Sequence, residues 1–296
     1  MTTAMQELVR VLGSSRFRGA GRLTRWAESI TRLPEGCVLV DNAFGFLMVV
    51  EPAREPVIDR QIYLHGAYEF GTMHAMTRLL YEGDTVLDIG ANIGQMAVHA
   101  ANLVGPRGRV LAFEPARRTH YALEGNLTRN GVGHRVEAFR LALSDTSGRA
   151  FLSTSEDLGS GGATIIGEVL GTGEEVHTKL LDEVIAARNV ERVDFVKLDV
   201  EGAEASVIRG GASVFGSESP PIVCMEYSNT NAGDPKEALE LLHQQAQYDV
   251  FVLVNGKNQR LFSGLRAVLP DEELPVHDNI FCIPARFSNR LGRVLA

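Results

Sequence analysis

The stretch KLDVEGAE at residues 197–204 carries three acids within six positions. Asp199, Glu201 and Glu204 follow a run of apolar residues typical of a buried strand. Carboxylates this close together raise one another's pKa or gather a cation. Glu204 also suits the first turn of the following helix, where its charge would complement the helix dipole. That role explains Asp199 poorly, because strand alternation places Asp199 on one face with Lys197 at the strand tip.

A further acid, Glu226, ends the strand candidate at residues 221–228. Asp199 and Glu226 could together bind Mg²⁺, but a hard cation needs six or more oxygen ligands. Water can supply some of these ligands, but two carboxylates are too few to claim a metal site, so Mg²⁺ stays a possibility and we assign no metal ligand. We predict that Asp199, Glu201 and Glu226 activate a nucleophile, since an alcohol reacts poorly until a base or a cation shifts its proton. His65 and His177 are alternative general bases in non-helical segments,.

The turn VLDIGANIG at residues 86–94 is the second candidate for chemistry. Gly90 and Gly94 let the backbone turn sharply and let a ligand approach the start of the next helix. The spacing G-x-N-x-G departs from the dinucleotide fingerprint G-x-G-x-x-G. Asn92 holds the middle position, and asparagine is the non-glycine residue best able to adopt positive φ. A strand–turn–helix junction without any ligand is the structural alternative.

Asp88 restricts which nucleotide this turn could bind. A carboxylate one or two residues from a pair of phosphates would repel them. A positively charged ligand with a ribose and no phosphate would be accepted, and S-adenosylmethionine fits that description. Glu114, in FEP at residues 113–115, ends the next strand candidate 24 residues after Gly90. A carboxylate at that place can accept both ribose hydroxyls.

The segment LALSD at residues 141–145 ends the third strand candidate. In the S-adenosylmethionine hypothesis the adenine lies against this backbone, at Leu143 and Ser144. Asp145 could then accept from the exocyclic amine of the adenine. It could equally belong to a turn through SDTSG with no ligand at all.

The elements that must position these residues alternate from Thr85 onward, and together they predict an α/β fold. Near-continuous apolar strand candidates alternate with helical patterns, which predicts a parallel sheet with helices on both faces,. Ligands bind beyond the carboxyl ends of the strands in such sheets. The last two strand candidates, 248–254 and 278–284, predict an antiparallel pair closing the sheet edge. Residues 37–52 predict two short strands around a turn.

A segment with six glycines, at residues 153–175, interrupts this alternation. It predicts either a substrate-side lid or a plain surface excursion. The three cysteines, Cys37, Cys224 and Cys282, lie in strand-like runs, and their odd number favours reduced thiols in a cytoplasmic protein,.

The charge of the 296-residue chain is unevenly distributed. The net charge of −8 argues against a general nucleic-acid binder,. Residues 1–33 nevertheless carry six arginines and two glutamates, a net of +4, which leaves −12 on the remainder. This arm predicts a surface helix or an ordered cap, with a membrane-surface segment as the alternative. We expect no membrane span, because no apolar run is long enough to cross a bilayer.

The motifs, in order, resemble the FkbM family of S-adenosylmethionine-dependent methyltransferases. The resemblance covers residues 62–284 and rests on GAYE, VLDIGANIG, FEP, LALSD, VKLDVEGAE, MEYS and DNIFCIP. It implies a Rossmann-like class I methyltransferase fold, with a seven-stranded, mostly parallel sheet whose last strand is antiparallel. It also implies methylation of oxygen on a small-molecule or glycan acceptor. Through GAYE it brings Tyr68 and Glu69 towards the methionine end of the cofactor.

The chain is therefore expected to be an O-methyltransferase with its methyltransferase domain at residues 62–296. Residues 1–61 form an N-terminal basic arm and hairpin region, a possible substrate cap or contact in a homodimer. A nicotinamide-dependent oxidoreductase and a non-catalytic cofactor-binding protein are the alternatives. The residues predicted to bind the cofactor are Tyr68, Glu69, Asp88, Gly90, Asn92, Gly94, Glu114, Leu143, Ser144 and Asp199.

Overall fold

A computed structural model describes residues 4–15, 19–153, 164–166, 173–229, 233–269 and 272–296. Most of the glycine-rich segment predicted as a lid or an excursion lies outside these residues. None of the helices in the described ranges combines the length and apolar character needed to cross a bilayer.

Helices and strands alternate along most of the chain. The helices of the described residues are α1 (Ala4–Gly13), α2 (Ala20–Ile30), α3 (Ile58–His65), α4 (Phe70–Leu79), α5 (Gln95–Val104), α6 (Arg117–Arg129), α7 (Leu181–Ala187), α8 (Glu204–Gly210), α9 (Ala212–Phe215), α10 (Pro235–Gln245) and α11 (Ser288–Leu291). The strands are β1 (Val38–Asp41), β2 (Leu47–Val50), β3 (Thr85–Ile89), β4 (Arg109–Phe113), β5 (Val136–Phe139), β6 (Ala142–Leu143), β7 (Gly148–Ser153), β8 (Thr164–Ile166), β9 (Glu174–Lys179), β10 (Phe195–Leu198), β11 (Ile222–Ser228), β12 (Tyr248–Leu253), β13 (Leu265–Ala267) and β14 (His277–Pro284).

The central sheet has the strand order β13-β12-β14-β11-β10-β3-β4-β5. Strands β11, β10, β3, β4 and β5 pair in parallel, whereas β14 is antiparallel to both β11 and β12. The predicted fold class is therefore confirmed: a mostly parallel sheet with its last strand antiparallel. The three-residue strand β13 adds an eighth strand beside β12. The last two strand candidates form the predicted antiparallel pair, β12 with β14, on one side of the sheet, and β14 lies between β11 and β12.

Both faces of this sheet are buried, as the apolar strands predicted. Val86 of β3 packs in one core cluster with α5, whereas Leu87 and Ile89 pack in a second cluster on the other face. Val207 of α8 and Leu242 of α10 belong to the second cluster. Successive side chains of a strand thus pack alternately into the two cores, and this packing on both faces holds the strand ends in position.

The third strand candidate does not form one strand. Its first part is β5, which pairs with β4 as far as Phe113 and Phe139. Its second part is β6, which leaves the central sheet and pairs in parallel with β9, where Leu143 lies beside Lys179. A second sheet in the order β6-β9-β7-β8 results. The expectation that LALSD ends a strand of the central sheet is therefore wrong, although the segment still borders the carboxyl end of β4.

The N-terminal region packs as an ordered layer. Strands β1 and β2 form the predicted antiparallel ribbon. Helices α1 and α2 contact α3 through polar anchors: the Gln6 side chain donates to the backbone oxygen of Tyr63 (3.0 Å), and His65 Nε2 lies 3.0 Å from Glu28 Oε1. Residue 61, where the sequence suggested a division, falls within α3.

The junction after β3 depends on Gly90, which has φ of +85°. A Cβ atom there would lie 1.8 Å from the backbone oxygen of Asp199. The backbone amides of Gly90 and Ala91 donate to the backbone oxygen of Phe113, and that of Asp199 donates to Ile89. Three strand ends therefore meet at a position that only glycine can occupy.

We expect Gly90→Ala to destabilise the fold more than Gly131→Ala. Gly131 also has positive φ, but a Cβ atom there would meet open space. Gly131→Ala should lower the free energy of unfolding by about 1–2 kcal/mol through backbone strain alone. Gly90→Ala should lower it by a further ~1–3 kcal/mol or more, because of the clash with Asp199. Equal losses in urea unfolding would contradict this account of the junction.

Candidate functional site

A cavity of about 480 Å³ opens beyond the carboxyl ends of β3, β4, β10 and β11. Strand β3 lies where the strand order changes direction, with β4 on one side and β10 on the other. Open α/β sheets bind ligands at such a switch point. Val57 and Ile58 from the N-terminal region line the cavity, and so does Leu152 from the second sheet.

The glycine turn forms one wall of this cavity. Gly90 and Asn92 line it, and Asn92 adopts φ of +50°, the positive value expected for the middle position. The Asn92 side-chain oxygen accepts from the backbone amide of Ile93 (2.8 Å). Gly94 is not among the described residues that line the cavity; a Cβ atom there would lie 2.5 Å from Leu123 Cδ1, so Gly94 allows α5 and α6 to pack closely.

Glu114 lies beside the turn at the end of β4. Its Oε2 accepts from the backbone amide of Asn92 (3.0 Å), and its Oε1 accepts from that of Ala116 (2.9 Å). Burial raises the pKa of Glu114 to about 7. Each carboxylate oxygen has a second lone pair, so Glu114 can still accept from a ligand while these amides hold its orientation.

Asp88 is buried in the same wall, opposite Lys197 in the pairing of β3 with β10. Burial raises the pKa of Asp88 to about 7, and the Lys197 ammonium opposes that shift. Among the described residues, Asp88 Oδ2 has no hydrogen-bond partner. A buried acceptor in this state carries a desolvation cost that a ligand donor or cation would remove.

Two buried lysines connect the acids at the base of the cavity. Lys197 Nζ lies 2.8 Å from Asp199 Oδ2 and 3.8 Å from Glu69 Oε2. Lys257 Nζ lies 2.6 Å from Glu226 Oε1 and 3.2 Å from Glu69 Oε1. Burial lowers the pKa of each lysine, but the surrounding carboxylates outweigh it and raise the pKa of both above the ordinary value. Glu69 therefore joins two ion pairs into one network.

Tyr68 and Glu69 are held at this corner by amide side chains. Asn279 Nδ2 donates to Glu69 Oε2 and lies equally close to Thr72 Oγ1, at 2.8 Å each. Gln95 accepts from the backbone amide of Tyr68 (2.9 Å) and donates to its backbone oxygen (2.8 Å). Glu69 also has positive φ, of +51°. Tertiary contacts thus fix the GAYE corner, whose last two residues line the cavity.

The three acids predicted to activate a nucleophile converge. Asp199, Glu201 and Glu226 bring carboxylate oxygens within 4.8 Å of one another. Burial, followed by Asp199 and Glu226, raises the pKa of Glu201 to about 8. Burial would also raise the pKa of Asp199, but Lys197 and Lys257 outweigh it and lower that pKa. Glu201 is therefore the acid of this group whose charge changes near neutral pH.

The three converging carboxylates could hold a metal ion, although Asp199 and Glu226 each already pair closely with a lysine. Glu204 has the structural role that its position suggested. Its Oε1 accepts from the backbone amides of Val200 (3.1 Å) and Gly202 (3.3 Å).

The structure separates other predicted residues from the cavity. Leu143 lines it, whereas Ser144 and Asp145 are not among the described lining residues. The backbone amide of Ser144 donates to Lys179 (3.0 Å), and Asp145 pairs with Arg209 (3.0 Å). The turn interpretation of Asp145 thus fits better than a contact with adenine.

Neither histidine proposed as a base lines the cavity within the described part of the chain. His65 pairs with Glu28, and His177 is exposed on β9. His277, which the sequence did not single out, lines the cavity, and its Nε2 lies 3.7 Å from Glu226 Oε1.

Sequence reasoning also missed Lys257, Gln95 and Asn279. Asn279 stands in DNIFCIP, so the motif contained a signal for it. Lys257 stands in the loop NGKNQ after β12, where a lysine resembles any exposed loop residue. Only tertiary packing brings Lys257 to Glu69, almost 190 positions earlier in the chain.

The family model and the relatives similar in sequence point to one family. The family model described as Methyltransferase FkbM domain matches residues 88–250. The 31-O-demethyl-FK506 methyltransferase FkbM of Streptomyces tacrolimicus is 31% identical over 208 residues, covering 60% of this chain and 74% of its own. The hexuronic acid methyltransferase AglP of Haloferax volcanii is 31% identical over 164 residues, covering 55% of this chain and 63% of its own. The crystal structure of a SAM-dependent O-methyltransferase from Thermotoga maritima has a TM-score of 0.41 at 17% identity, covering 86% of this chain and 95% of that one.

The lysine network predicts that Lys197→Met is strongly destabilising. This change leaves the buried Asp199 carboxylate without its closest cation, and breaking a buried pair costs about 3–5 kcal/mol,. The control is Arg149→Met, which removes the exposed pair with Glu175 and should cost less than about 1 kcal/mol,. Urea unfolding would measure both values. A loss for Lys197→Met no larger than for the control would contradict the network.

Proposed function

The chain belongs to the FkbM methyltransferase family, and we propose that this S-adenosylmethionine-dependent enzyme methylates a hydroxyl oxygen on a small molecule or a glycan. The observation that carries the proposal is the convergence of Asp199, Glu201 and Glu226 beside the glycine turn. An alcohol needs a base to react, and these acids supply one at the cavity. The names of two relatives, one a 31-O-demethyl-FK506 and one a hexuronic acid methyltransferase, support a hydroxylated acceptor.

The cofactor-binding residues are proposed from the chemistry of the cavity. S-adenosylmethionine, when bound, supplies a methyl group on a positively charged sulfur. The unpartnered Oδ2 of Asp88 suits a cationic group and would disfavour phosphates,. Glu114 keeps free lone pairs for ribose hydroxyls while backbone amides orient it,. Leu143 lines the cavity where the adenine is proposed to lie. A nicotinamide-dependent oxidoreductase is not favoured, since its pyrophosphate would lie beside Asp88.

Glu201 is the proposed base of the reaction. Asp199 and Glu226 lie closest to lysine ammonium groups, which stabilise their charged forms. No lysine or arginine of the described residues forms an ion pair with Glu201, and its pKa of about 8 makes its carboxylate the stronger base,. Glu201 would accept the hydroxyl proton of the acceptor, whose oxygen would take the methyl group that bound S-adenosylmethionine supplies. Asp199 and Glu226 would help to align the acceptor.

The N-terminal region is proposed to shape the acceptor side of the cavity. Val57 and Ile58 precede the proposed domain boundary and line the cavity. Helix α3 carries Ile58 and continues into the GAYE corner, so the region is coupled to the site. This placement supports a substrate cap formed by residues 1–61.

We expect Glu114→Gln to weaken S-adenosylmethionine binding about 10- to 100-fold. A hydrogen bond to a charged group is worth ~1.5–3 kcal/mol, and glutamine keeps the shape but loses the charge. Asp145→Asn is the matched control and should bind S-adenosylmethionine as the wild type does, because Asp145 pairs with Arg209 instead. Equilibrium dialysis with labelled cofactor would measure both. If only Asp145→Asn weakened binding, the prediction for Glu114 would be wrong, and the contact between Asp145 and adenine that the structure disfavours would be supported.

We expect Glu201→Gln to lower kcat by roughly 10²–10⁴-fold while the cofactor still binds, because the general base is lost. The assay follows labelled methyl transfer from S-adenosylmethionine to a panel of hydroxylated acceptors that includes hexuronic acids. Wild-type activity should rise as the pH passes through about 8, where Glu201 loses its proton, and this rise should be absent from the variant.

Glu204→Gln is the control for that experiment. A glutamine oxygen can still accept from the amides of Val200 and Gly202, so turnover should persist. Its rise with pH should also persist but move to lower pH, because the charge of Glu204 helps to raise the pKa of Glu201. Full turnover in Glu201→Gln, with the pH profile unchanged, would contradict the assignment of the base.

A further inference from the structure

Helix α2 presents an apolar stripe to solvent. Leu23, Trp26 and Ile30 expose 44%, 54% and 48% of their surface. They are three and four residues apart, so they lie on one side of the helix. The side that faces the protein is formed by small residues, including Ala20 and Ala27. A surface helix in water normally has its bulky apolar residues on the side that faces the protein, and α2 shows the reverse pattern.

Helix α1 also exposes bulky apolar residues, although Met5, Val9 and Leu12 on its inner side pack against the core. Leu8 and Val11 expose 38% and 63% of their surface, whereas Gln6 and Val9 are buried against the protein. We call α1 and α2 together the helical hairpin, or simply the hairpin, and we call Leu8, Val11, Leu23, Trp26 and Ile30 the hairpin surface. Single exposed apolar residues are normal, but five of them on two adjacent helices indicate a binding surface.

Arginines accompany the hairpin surface. Arg22 and Arg25 are exposed on α2 beside the apolar stripe. The sequence from 8 to 27 contains five arginines and no acid. The net charge is +4 over residues 1–33 and −12 over the remainder. The chain thus concentrates positive charge where it also exposes apolar groups.

We propose that the hairpin surface docks the protein on a membrane rich in anionic lipid. Apolar side chains that enter the headgroup boundary, with arginines beside them, are the features of a helix that lies in the membrane interface. Arginines near an anionic leaflet are attracted electrostatically, and the strongly acidic remainder of the chain is repelled from it. The charge distribution would therefore orient the molecule with the hairpin surface towards the lipid.

Polar contacts hold the hairpin against the rest of the protein, so binding of the hairpin surface to a membrane would bring the whole enzyme to that membrane. Gln6 donates to the backbone oxygen of Tyr63, and Arg260 donates to that of Arg10 (2.8 Å). Glu28 pairs with His65 at the end of α3. These anchors lie on the inner side of the hairpin and leave the hairpin surface exposed.

A second copy of the chain fits this surface less well. Most homodimers pair the same patch on both subunits. Such an interface would bring Arg22 and Arg25 of both subunits into one patch, and like charges within an interface are costly. An anionic lipid surface satisfies the apolar and the basic groups together.

Trp26 makes the proposal directly measurable, because it is the only tryptophan in the chain. Fluorescence of the full-length protein is recorded with vesicles of phosphatidylcholine alone and with vesicles that also contain phosphatidylserine. We expect a blue shift of the emission with the mixed vesicles only, and its reversal by added salt. The absence of a shift with the mixed vesicles would overturn the proposal. A blue shift that depends on protein concentration without vesicles would also overturn it, in favour of a second copy.

Arg22→Glu/Arg25→Glu keeps Trp26 as the reporter and should weaken vesicle binding at least about tenfold. The matched charge control, Arg129→Glu/Arg140→Glu, changes two exposed arginines elsewhere and should bind as the wild type does. Equal weakening by both double variants would show an effect of net charge alone and overturn the docking surface.

Leu23→Ser/Ile30→Ser tests the apolar part of the surface, and Tyr121→Ser is its control. Tyr121 is 78% exposed on α6, outside the hairpin. The hairpin variant should lose binding in vesicle co-sedimentation, whereas the control should retain it. Retained binding in Leu23→Ser/Ile30→Ser would refute an apolar contribution. Because the test measures binding to vesicles, its result is independent of the proposed function.

Discussion

The buried network of Lys197, Glu69 and Lys257 is the interaction on which the site depends. Four segments that are far apart in the sequence meet there: the ends of β10 and β11, the start of α4, and the loop after β12. Each lysine neutralises one acid of the cavity, and Glu69 links the two pairs. Without both lysines, the carboxylates at the strand ends would repel one another in a medium of low dielectric constant. The network therefore allows one crevice to contain several acids.

The acids of the crevice consequently divide into two groups. Asp199 and Glu226 lie against lysines, and the pKa of Asp199 is lowered. Asp88, Glu114 and Glu201 are buried with less compensation, and their pKa values rise to about 7, 7 and 8. A cationic ligand favours their ionised forms, whereas a phosphate disfavours them. The same separation allows Glu201 to exchange a proton near neutral pH while Asp199, whose pKa is lowered, keeps its charge.

Much of this could be predicted from the sequence, because strand ends carry local signals. Asp88 lies near the end of an apolar strand, Gly90 and Asn92 follow that strand, and their roles depend on a turn that the chain forms by itself. Glu114 was identifiable from its distance to that turn. The sheet class followed from apolar strands alternating with helical patterns.

Other features depend on contacts that no local pattern contains. The break between β5 and β6 arises because Leu143 pairs with Lys179, which comes from a distant segment. The position of β14 within the sheet, rather than at its edge, is likewise a choice among long-range pairings. Lys257 has no motif and becomes important only through Glu69 and Glu226. The acids and Lys197 were thus predictable from their motifs, whereas Lys257 was not.

The most direct test of the account is a calorimetric titration of the protein with S-adenosylmethionine and, separately, with NADH at a pH near 7. We expect S-adenosylmethionine to bind and to release protons, because its positive charge lowers the pKa of buried acids that are half-protonated at that pH,. The released protons are measured by repeating the titration in buffers of different ionisation enthalpy. NADH should not bind, because its pyrophosphate would face Asp88. Binding of NADH with comparable affinity, or binding of S-adenosylmethionine with proton uptake, would contradict the central claim that the crevice selects a cationic nucleoside without phosphates.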